Sequence, residues 1–198
     1  KYRGDNSVSL AYFGDGAANQ GQVYESFNMA KLWKLPVVFI IENNKYAMGT
    51  SIERAAAPTD FSMRGASFDI PGEQVDGMDV RMVHDAAQRA IEYARSGKGP
   101  YILEMMTYRY RGHSMSDPAK YRTKDEVTKY RQEAVELSSP EAIEQVKARL
   151  LESGAQTEES LKAIEVEIRA IVTEAAEFAT NDAEPDPAEL WTDITISA

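Results

Sequence analysis

Two short polar motifs, each directly after a run of apolar residues, constrain the fold of this chain more than any other feature. The first, Gly-Asp-Gly at residues 14–16, follows an apolar run at 8–13. The second, Asn-Asn at residues 43–44, follows an apolar run at 37–41, and 26 residues separate the two motifs. That distance accommodates one crossover helix and a return strand, which predicts a right-handed βαβ unit with parallel strands. Both motifs should therefore lie at one carboxyl edge of a sheet, where open α/β sheets bind ligands.

The side chains of these motifs suit a hard cation beside a diphosphate. Asp15 offers a carboxylate and Asn44 an amide oxygen, and Mg²⁺ combines such oxygen ligands with phosphate oxygens. Gly14 and Gly16 allow backbone to approach a ligand closely, and the helix expected after them would direct its N–H groups at a phosphate. A plain turn role is the alternative for Asp15, but its pairing with the second motif favours the metal. Asn43 is predicted to be a structural turn residue.

The rest of the pattern predicts an α/β fold with a mainly parallel sheet and flanking helices. A helix is expected over 20–34, and another from an N-cap at Asp79 to about residue 95, with Val80 on its inner face. A third strand is expected at 101–106. Residues 47–78 are predicted to form a long ordered loop region.

From residue 125 the pattern is helical. Ser139-Pro140 predicts the start of one helix, with Ile143 facing inward, and Thr157 predicts the start of another that reaches about residue 180. Apolar residues recur in the second helix at intervals of three and four, for which packing onto its own domain is favoured over a coiled coil. Residues 1–124 are thus predicted to form the α/β module, and 125–198 a helical extension packed on the same domain.

Composition excludes several classes of protein. The chain has no cysteine, so disulfides and thiolate metal sites are excluded. No apolar run approaches the roughly 18 residues of a membrane span. The formal net charge is −10, almost all of it after residue 119, which argues against nucleic acid as a partner.

Two segments carry a resemblance to a known family. The run from residue 14 to residue 58, GDGAANQGQVYESFNMAKLWKLPVVFIIENNKYAMGTSIERAAAP, closely resembles the α subunit of the decarboxylating component of pyruvate dehydrogenase, and so does YRYRGHSMSDP at 108–118. The resemblance covers the whole chain and is strongest over about 10–124. It implies a thiamine-diphosphate-binding fold, the cofactors thiamine diphosphate and Mg²⁺, and a chain that is the carboxy-terminal portion of a larger subunit.

The resemblance also implies roles for individual residues. The metal ligands would be Asp15, Asn44 and the backbone carbonyl of Tyr46, and the N–H groups of Gly16 and Ala17 would meet the diphosphate.

His113 is the expected catalytic and cofactor-binding histidine. It follows Gly112 in a basic aromatic loop with Arg109 and Arg111, where it could bond a phosphate oxygen or reach the reacting carbonyl. His84, on an ordinary helix face, is expected to have no such role.

The activity implied by the resemblance is oxidative decarboxylation of pyruvate, which links glycolysis to acetyl transfer onto a lipoyl-bearing acyltransferase component. The site would be shared with a β subunit, which supplies the activating glutamate within a heterotetramer of two α and two β subunits. The isolated chain is therefore expected to be inactive. A bacterial cytoplasm is favoured over the mitochondrial matrix.

Alternative functions remain open at this stage. Acetoin-cleaving and branched-chain 2-oxo acid dehydrogenase α subunits are the nearest enzymes, and a non-catalytic interaction fragment is a further alternative. A dinucleotide-binding oxidoreductase is disfavoured because Asn19 stands where the third glycine of that motif belongs.

Overall fold

A computed structural model describes residues 4–128 and 142–192 of the chain. The chain divides into two compact units, Lys1–Gln145 and Val146–Ala198. The first unit contains the sheet and the polar motifs. The second unit is helical.

The sheet of the first unit is parallel, as predicted, and has four strands, one more than the sequence indicated. In chain order the strands of this unit are β1 (Ser9–Gly14), β2 (Val37–Asn43), β3 (Tyr46–Ala47), β4 (Thr50–Ser51), β5 (Gly72–Asp76) and β6 (Tyr101–Met106). The sheet order is β1-β2-β6-β5, and all three pairings are parallel. Gly14 pairs with Glu42, and Asn43 with Met106. The carboxyl ends of β1, β2 and β6 therefore lie side by side.

The region 47–78 is more structured than predicted. It contains β5, the helix α2 (Ile52–Ala55), and most of the antiparallel hairpin of β3 and β4. Only Val75 of β5 is buried, because this strand lies at one end of the described sheet. Edge strands need little apolar alternation, so the pattern on which strand prediction depends is missing there.

Helices cover both faces of the sheet. On one face α1 (Gly21–Leu32) packs Phe27 and Ala30 into a core with Phe39, Ile41 and Ile102. On the other face α3 (Val80–Tyr93) packs Ala86 and Ala90 against Val38, Ile40, Leu103 and Met105. The β2 side chains alternate between the two cores because successive residues of a strand point to opposite faces.

The boundaries of α3 largely follow the prediction. The Asp79 carboxylate accepts from the Arg81 N–H at 2.9 Å, as an N-cap should. Val80 was expected on the inner face but is 53% exposed. The buried residues of α3 are Ala86 and Ala90 instead.

The second unit contains the end of α4 (Ala142–Glu152) and all of α5 (Glu158–Asn181). Thr157 and Ser160 cap α5 reciprocally, as expected of a helix start at Thr157. The start predicted at Ser139-Pro140 lies outside the described residues. Ile143, expected to face inward, is exposed.

No residue of α5 is buried. The packing of residues 125–198 on the same domain stays a prediction. Within residues 4–128 and 142–192, none of the helices has the length and apolar character required to cross a membrane.

A fully buried carboxylate joins three segments of the first unit. Glu104 in β6 is 0% exposed, and its Oε1 accepts from Asn43 Nδ2 at 2.6 Å. Its Oε2 accepts from the N–H groups of Phe61 and Ser62 at 2.8 and 2.9 Å and from Gln74 Nε2 at 3.0 Å. One side chain therefore holds the end of β2, the loop at 61–62 and the edge strand β5.

Replacing this carboxylate tests its importance. Because Glu104→Leu leaves four donors around the site without their acceptor, we expect the free energy of unfolding to fall by at least about 3 kcal/mol. Urea denaturation measures this. Glu42→Leu, at an exposed position of neighbouring β2, is the control and should change stability by only about 0.5 kcal/mol. A loss below about 1 kcal/mol for Glu104→Leu would contradict the role assigned to the network.

Candidate cofactor and metal site

A buried carboxylate lies at the carboxyl end of β1. Asp15 is 3% exposed, and it forms no ion pair with any of the residues that the structure describes. Burial raises the pKa of Asp15, although backbone N–H donors, including that of Asn44, and the charges of Arg109 and Lys45 act to lower it. Because a buried anion is costly without a cationic partner, this carboxylate is suited to a divalent metal ion.

The Asn43-Asn44 turn is held in an uncommon backbone conformation. Lys45 has a φ of 73°, the left-handed region that non-glycine residues rarely adopt. Asn43 Oδ1 accepts from the Lys45 N–H at 3.2 Å, and Asn44 Oδ1 accepts from the Tyr46 N–H at 3.3 Å. These bonds are Asx turns, which stabilise such a conformation.

The two asparagines of this turn differ in what they can bind. Asn43 is 0% exposed and donates to Glu104, which agrees with the structural role predicted for it. Asn44 is only half-buried, and its carbonyl oxygen keeps a second lone pair for a metal.

The Gly-Asp-Gly turn packs tightly against the β3–β4 hairpin. A Cβ at Gly16 would lie 2.4 Å from the Cβ of Ala47, so only glycine fits there. A Cβ at Gly14 would meet no atom within 4 Å. A single helical turn covers Ala17–Asn19, and Gly16 is its N-cap residue. The N–H groups of Gly16 and Ala17 have no acceptor inside that turn and suit an anionic oxygen.

Arg64 holds the other side of this turn. Its Nη1 donates to the Ala18 carbonyl at 2.6 Å and its Nη2 to Asn19 Oδ1 at 2.8 Å, while its guanidinium lies 3.7 Å from the centre of the Phe61 ring. Burial lowers the pKa of Arg64. No sequence motif pointed to this residue, because it is 46 positions from the carbonyl it contacts.

Arg109 connects the Asn44–Tyr46 turn with the His113 loop. Its Nη1 lies 3.4 Å from the Tyr46 carbonyl and 3.2 Å from His113 Nδ1. Its Nη2 donates to the Met48 carbonyl and, at 2.9 Å, to the Tyr121 hydroxyl. Because arginine can only donate, a neutral His113 accepts at Nδ1 and carries its proton at Nε2.

Asp117 shapes the loop around His113. Its carboxylate accepts from the N–H groups of His113 and Ala119 at 2.7 and 2.8 Å, and from the Tyr121 hydroxyl at 2.7 Å. The His113 and Tyr121 bonds, followed by that of Ala119, lower the pKa of Asp117 to about 2. Because this pKa is lowered, the Asp117 carboxylate is fully ionised and holds the loop above about pH 4. Its stabilising effect is lost as the pH falls toward 2.

The structure therefore gathers most of the predicted site residues. Strand ends and the hairpin bring Asp15, Gly16, Asn44 and Tyr46 to one edge, and Arg109 links His113 to Tyr46. One carboxylate, one amide and one carbonyl form an all-oxygen donor set of the kind that Mg²⁺ accepts.

Residues around the site were missed by sequence reasoning. Arg122 and Glu126, four positions apart as on one helix face, offered a weak signal, whereas Arg64 and Glu104 offered none. His84 is exposed on α3 with Nδ1 3.3 Å from the Asp85 carboxylate, and the structure adds nothing to favour a role for it.

Comparison with known sequences identifies the family. Residues 1–188 match the family described as the dehydrogenase E1 component. The chain belongs to this family. It is 68% identical over 196 residues to the pyruvate dehydrogenase E1 component subunit alpha of Rhizobium meliloti, covering 99% of this chain and 55% of that protein. The resemblance found in the sequence to these α subunits is therefore confirmed.

Two further relatives extend the comparison across bacteria and mitochondria. The Zymomonas mobilis subunit of the same name is 53% identical over 99% of this chain and 53% of its own length. The mitochondrial somatic form from Sus scrofa is 53% identical over 96% of this chain and 47% of its own length. The chain thus spans about half the length of the relatives it matches.

The ionisation of Asp15 can be tested by measuring protein stability, without an activity assay. Because its pKa is raised in the folded state, ionisation of Asp15 destabilises the folded protein as the pH rises through that pKa. We expect Asp15→Asn to raise the melting temperature of the cofactor-free protein at pH 7, and to raise it less at pH 4. The same substitution should abolish the stabilisation of the protein by Mg²⁺ with thiamine diphosphate. Differential scanning calorimetry measures all three.

Glu42→Gln, at an exposed carboxylate on the neighbouring strand, is the control and should leave the Mg²⁺ response intact. Undiminished stabilisation of Asp15→Asn by metal and cofactor would show that this carboxylate holds no metal.

Proposed function

We propose that this chain forms the diphosphate- and Mg²⁺-holding half of a thiamine-diphosphate site, which a β subunit completes. The observation that carries the proposal is the buried Asp15 carboxylate, which has no ion-pair partner among the described residues and lies beside the Asn44–Tyr46 turn. A metal ion would neutralise this carboxylate and join it to diphosphate oxygens.

In this proposal each group at the edge has one task. Asp15, Asn44 and the Tyr46 carbonyl hold Mg²⁺, and the N–H groups of Gly16 and Ala17 bind the diphosphate. Thiamine diphosphate, when bound, supplies the electron sink that decarboxylation of a 2-oxo acid requires. The chain's own contribution is to orient that group by fixing its charged end.

His113 is the proposed catalytic residue of this half-site. The Arg109 contact places the proton of a neutral ring on Nε2. That N–H can donate to a phosphate oxygen or to the carbonyl of the reacting acid, and the Asp117 contacts to the loop hold its backbone for this purpose.

Pyruvate is the proposed substrate, because the relatives at 68% and 53% identity are named pyruvate dehydrogenase subunits. The proposed reaction is oxidative decarboxylation with acetyl transfer to a lipoyl-bearing acyltransferase component. The proposed assembly is a heterotetramer of two α and two β subunits. The identity to bacterial relatives favours a bacterial cytoplasm as the location. Acetoin and branched-chain 2-oxo acids are the competing substrates.

A titration with and without the β subunit tests the proposal. We expect calorimetry to show saturable thiamine diphosphate binding that requires Mg²⁺ and becomes tighter with the β subunit, and no pyruvate turnover by the chain alone. With the assembled enzyme, kcat/KM for pyruvate should exceed that for 2-oxoisovalerate by at least about tenfold, since methylene-sized differences discriminate on that scale.

Two results would contradict the proposal. Absence of Mg²⁺-dependent cofactor binding in the assembled protein would favour a non-catalytic interaction role. Equal or higher activity with acetoin or 2-oxoisovalerate would reassign the substrate.

A histidine substitution tests the catalytic role separately. His113→Ala removes the proposed donor, and kcat should fall by about 10²-fold or more, the usual contribution of a positioned proton donor. Steady-state kinetics of the assembled enzyme measure this. His84→Ala, at the other histidine of the chain, is the matched control and should leave kcat unchanged. Equal kcat values for the two variants would remove His113 from the chemistry.

A further inference from the structure

An arginine from a distant segment contacts the turn that follows β1. Arg64 is half-buried, and its two terminal nitrogens donate to the Ala18 carbonyl at 2.6 Å and to Asn19 Oδ1 at 2.8 Å. Both acceptors come shortly after the Gly-Asp-Gly motif. Because a guanidinium presents its donors as a planar fork, the two bonds fix the orientation of this backbone as well as its position.

The segment that carries Arg64 is itself firmly held. The Phe61 N–H donates to the buried Glu104 carboxylate at 2.8 Å. The Phe61 ring is fully buried, and the Arg64 guanidinium lies 3.7 Å from its centre, within the range of cation–π attraction. Gly65 is packed so closely that a Cβ there would lie 2.9 Å from both the Cβ and the carbonyl oxygen of Ile70. Arg64 therefore extends from a rigid support.

The place of Arg64 is not explained by an ion pair. Among the residues that the structure describes, no carboxylate forms an ion pair with it, and its acceptors at Ala18 and Asn19 are neutral. Partial removal of a cation from water costs free energy. Stability alone is therefore a weak reason for an arginine at this position, and the geometry of the turn that it holds is a stronger one.

The donors proposed for the diphosphate belong to a stretch of backbone that is restrained at two points. At one point Gly16 packs against the hairpin, since a Cβ at Gly16 would lie 2.4 Å from the Cβ of Ala47. At the other point Arg64 holds the carbonyl of Ala18, which is 0% exposed. The N–H groups of Gly16 and Ala17 belong to this restrained stretch. Donors that are fixed before a ligand arrives bind it more tightly, because less conformational entropy is lost on binding.

We infer that Arg64 is a positioning residue that holds the Gly16 and Ala17 N–H groups in place for the diphosphate. The inference rests on the proposed function, because it concerns the binding of thiamine diphosphate at this turn. Arg64 acts through the fork that it forms with Ala18 and Asn19. Its positive charge alone is not sufficient for this role.

The decisive comparison is between Arg64→Gln, which removes both charge and fork, and Arg64→Lys, which keeps the charge and removes the fork. In the assembled two-subunit enzyme at saturating Mg²⁺, both variants should raise the dissociation constant of thiamine diphosphate by about tenfold, a usual effect for a residue that orients the groups of a site. The turnover number at saturating cofactor should stay close to that of the unsubstituted enzyme, since the lost interaction is one of binding. Isothermal titration calorimetry and steady-state kinetics measure the two quantities.

Inorganic pyrophosphate shows which end of the cofactor is affected. Its inhibition constant against thiamine diphosphate should rise by the same factor in both Arg64 variants, because the lost interaction belongs to the diphosphate. Arg81→Gln, which removes a cation from an exposed position of α3, is the matched control and should leave both constants unchanged.

Asn19→Ala provides a milder variant, since it removes one of the two acceptors and leaves Arg64 in place. It should weaken the binding of thiamine diphosphate and of pyrophosphate in the same direction but by less, and it serves as the test if the Arg64 variants fail to fold.

The results separate the inference from the proposed function. A lower melting temperature with unchanged cofactor affinity would give Arg64 a merely structural role and overturn the inference. Full affinity in Arg64→Lys would assign the effect to charge and overturn it equally, as would weaker thiamine diphosphate binding with unchanged pyrophosphate inhibition. Failure of the unsubstituted enzyme to bind thiamine diphosphate with Mg²⁺ would instead overturn the proposed function itself.

Discussion

The buried carboxylate of Glu104 is the interaction on which the arrangement of the site depends. It draws Asn43, the loop at 61–62 and β5 onto one strand of the sheet. The Asn43 amide nitrogen donates to Glu104, and the amide oxygen of the same side chain accepts from the Lys45 N–H. That contact supports the left-handed turn that presents Asn44 and Tyr46. A charged group in the core is costly unless fully bonded, and here four donors satisfy the Glu104 carboxylate, one of them from the Asn43 side chain that supports the turn.

Three arginines around the site, of which Arg122 is buried and the other two are half-buried, bind backbone carbonyls. Arg64 donates to Ala18, Arg109 to Tyr46 and Met48, and Arg122 to the two loop residues that precede His113. These cations fix loop geometry without forming an ion pair with Asp15. The Asp15 carboxylate, buried and with a raised pKa, is the group to which we assign a divalent cation in the proposed function.

Prediction from sequence succeeded where structure follows from local periodicity and failed where it follows from tertiary contacts. The apolar runs before residues 14 and 43 identified β1 and β2, and Asp79 and Thr157 identified helix starts. The strand β5 was missed because only Val75 is buried in it. Val80 was placed inside because helical spacing shows which residues share a face, whereas the exposure of one residue on that face depends on its tertiary contacts.

The sequence by itself determined the parallel βαβ connection, and therefore the edge at which Asp15 and Asn44 meet. Strand, helix and return strand are contiguous, and parallel pairing leaves one topology. Only the tertiary structure decided which side chains hold that edge in shape. Glu104 meets Asn43 across 61 positions, Arg109 meets Tyr46 across 63, and Glu126 meets Tyr46 across 80. No periodicity links residues so far apart, and their contacts exist only once the sheet has formed and placed its loops side by side.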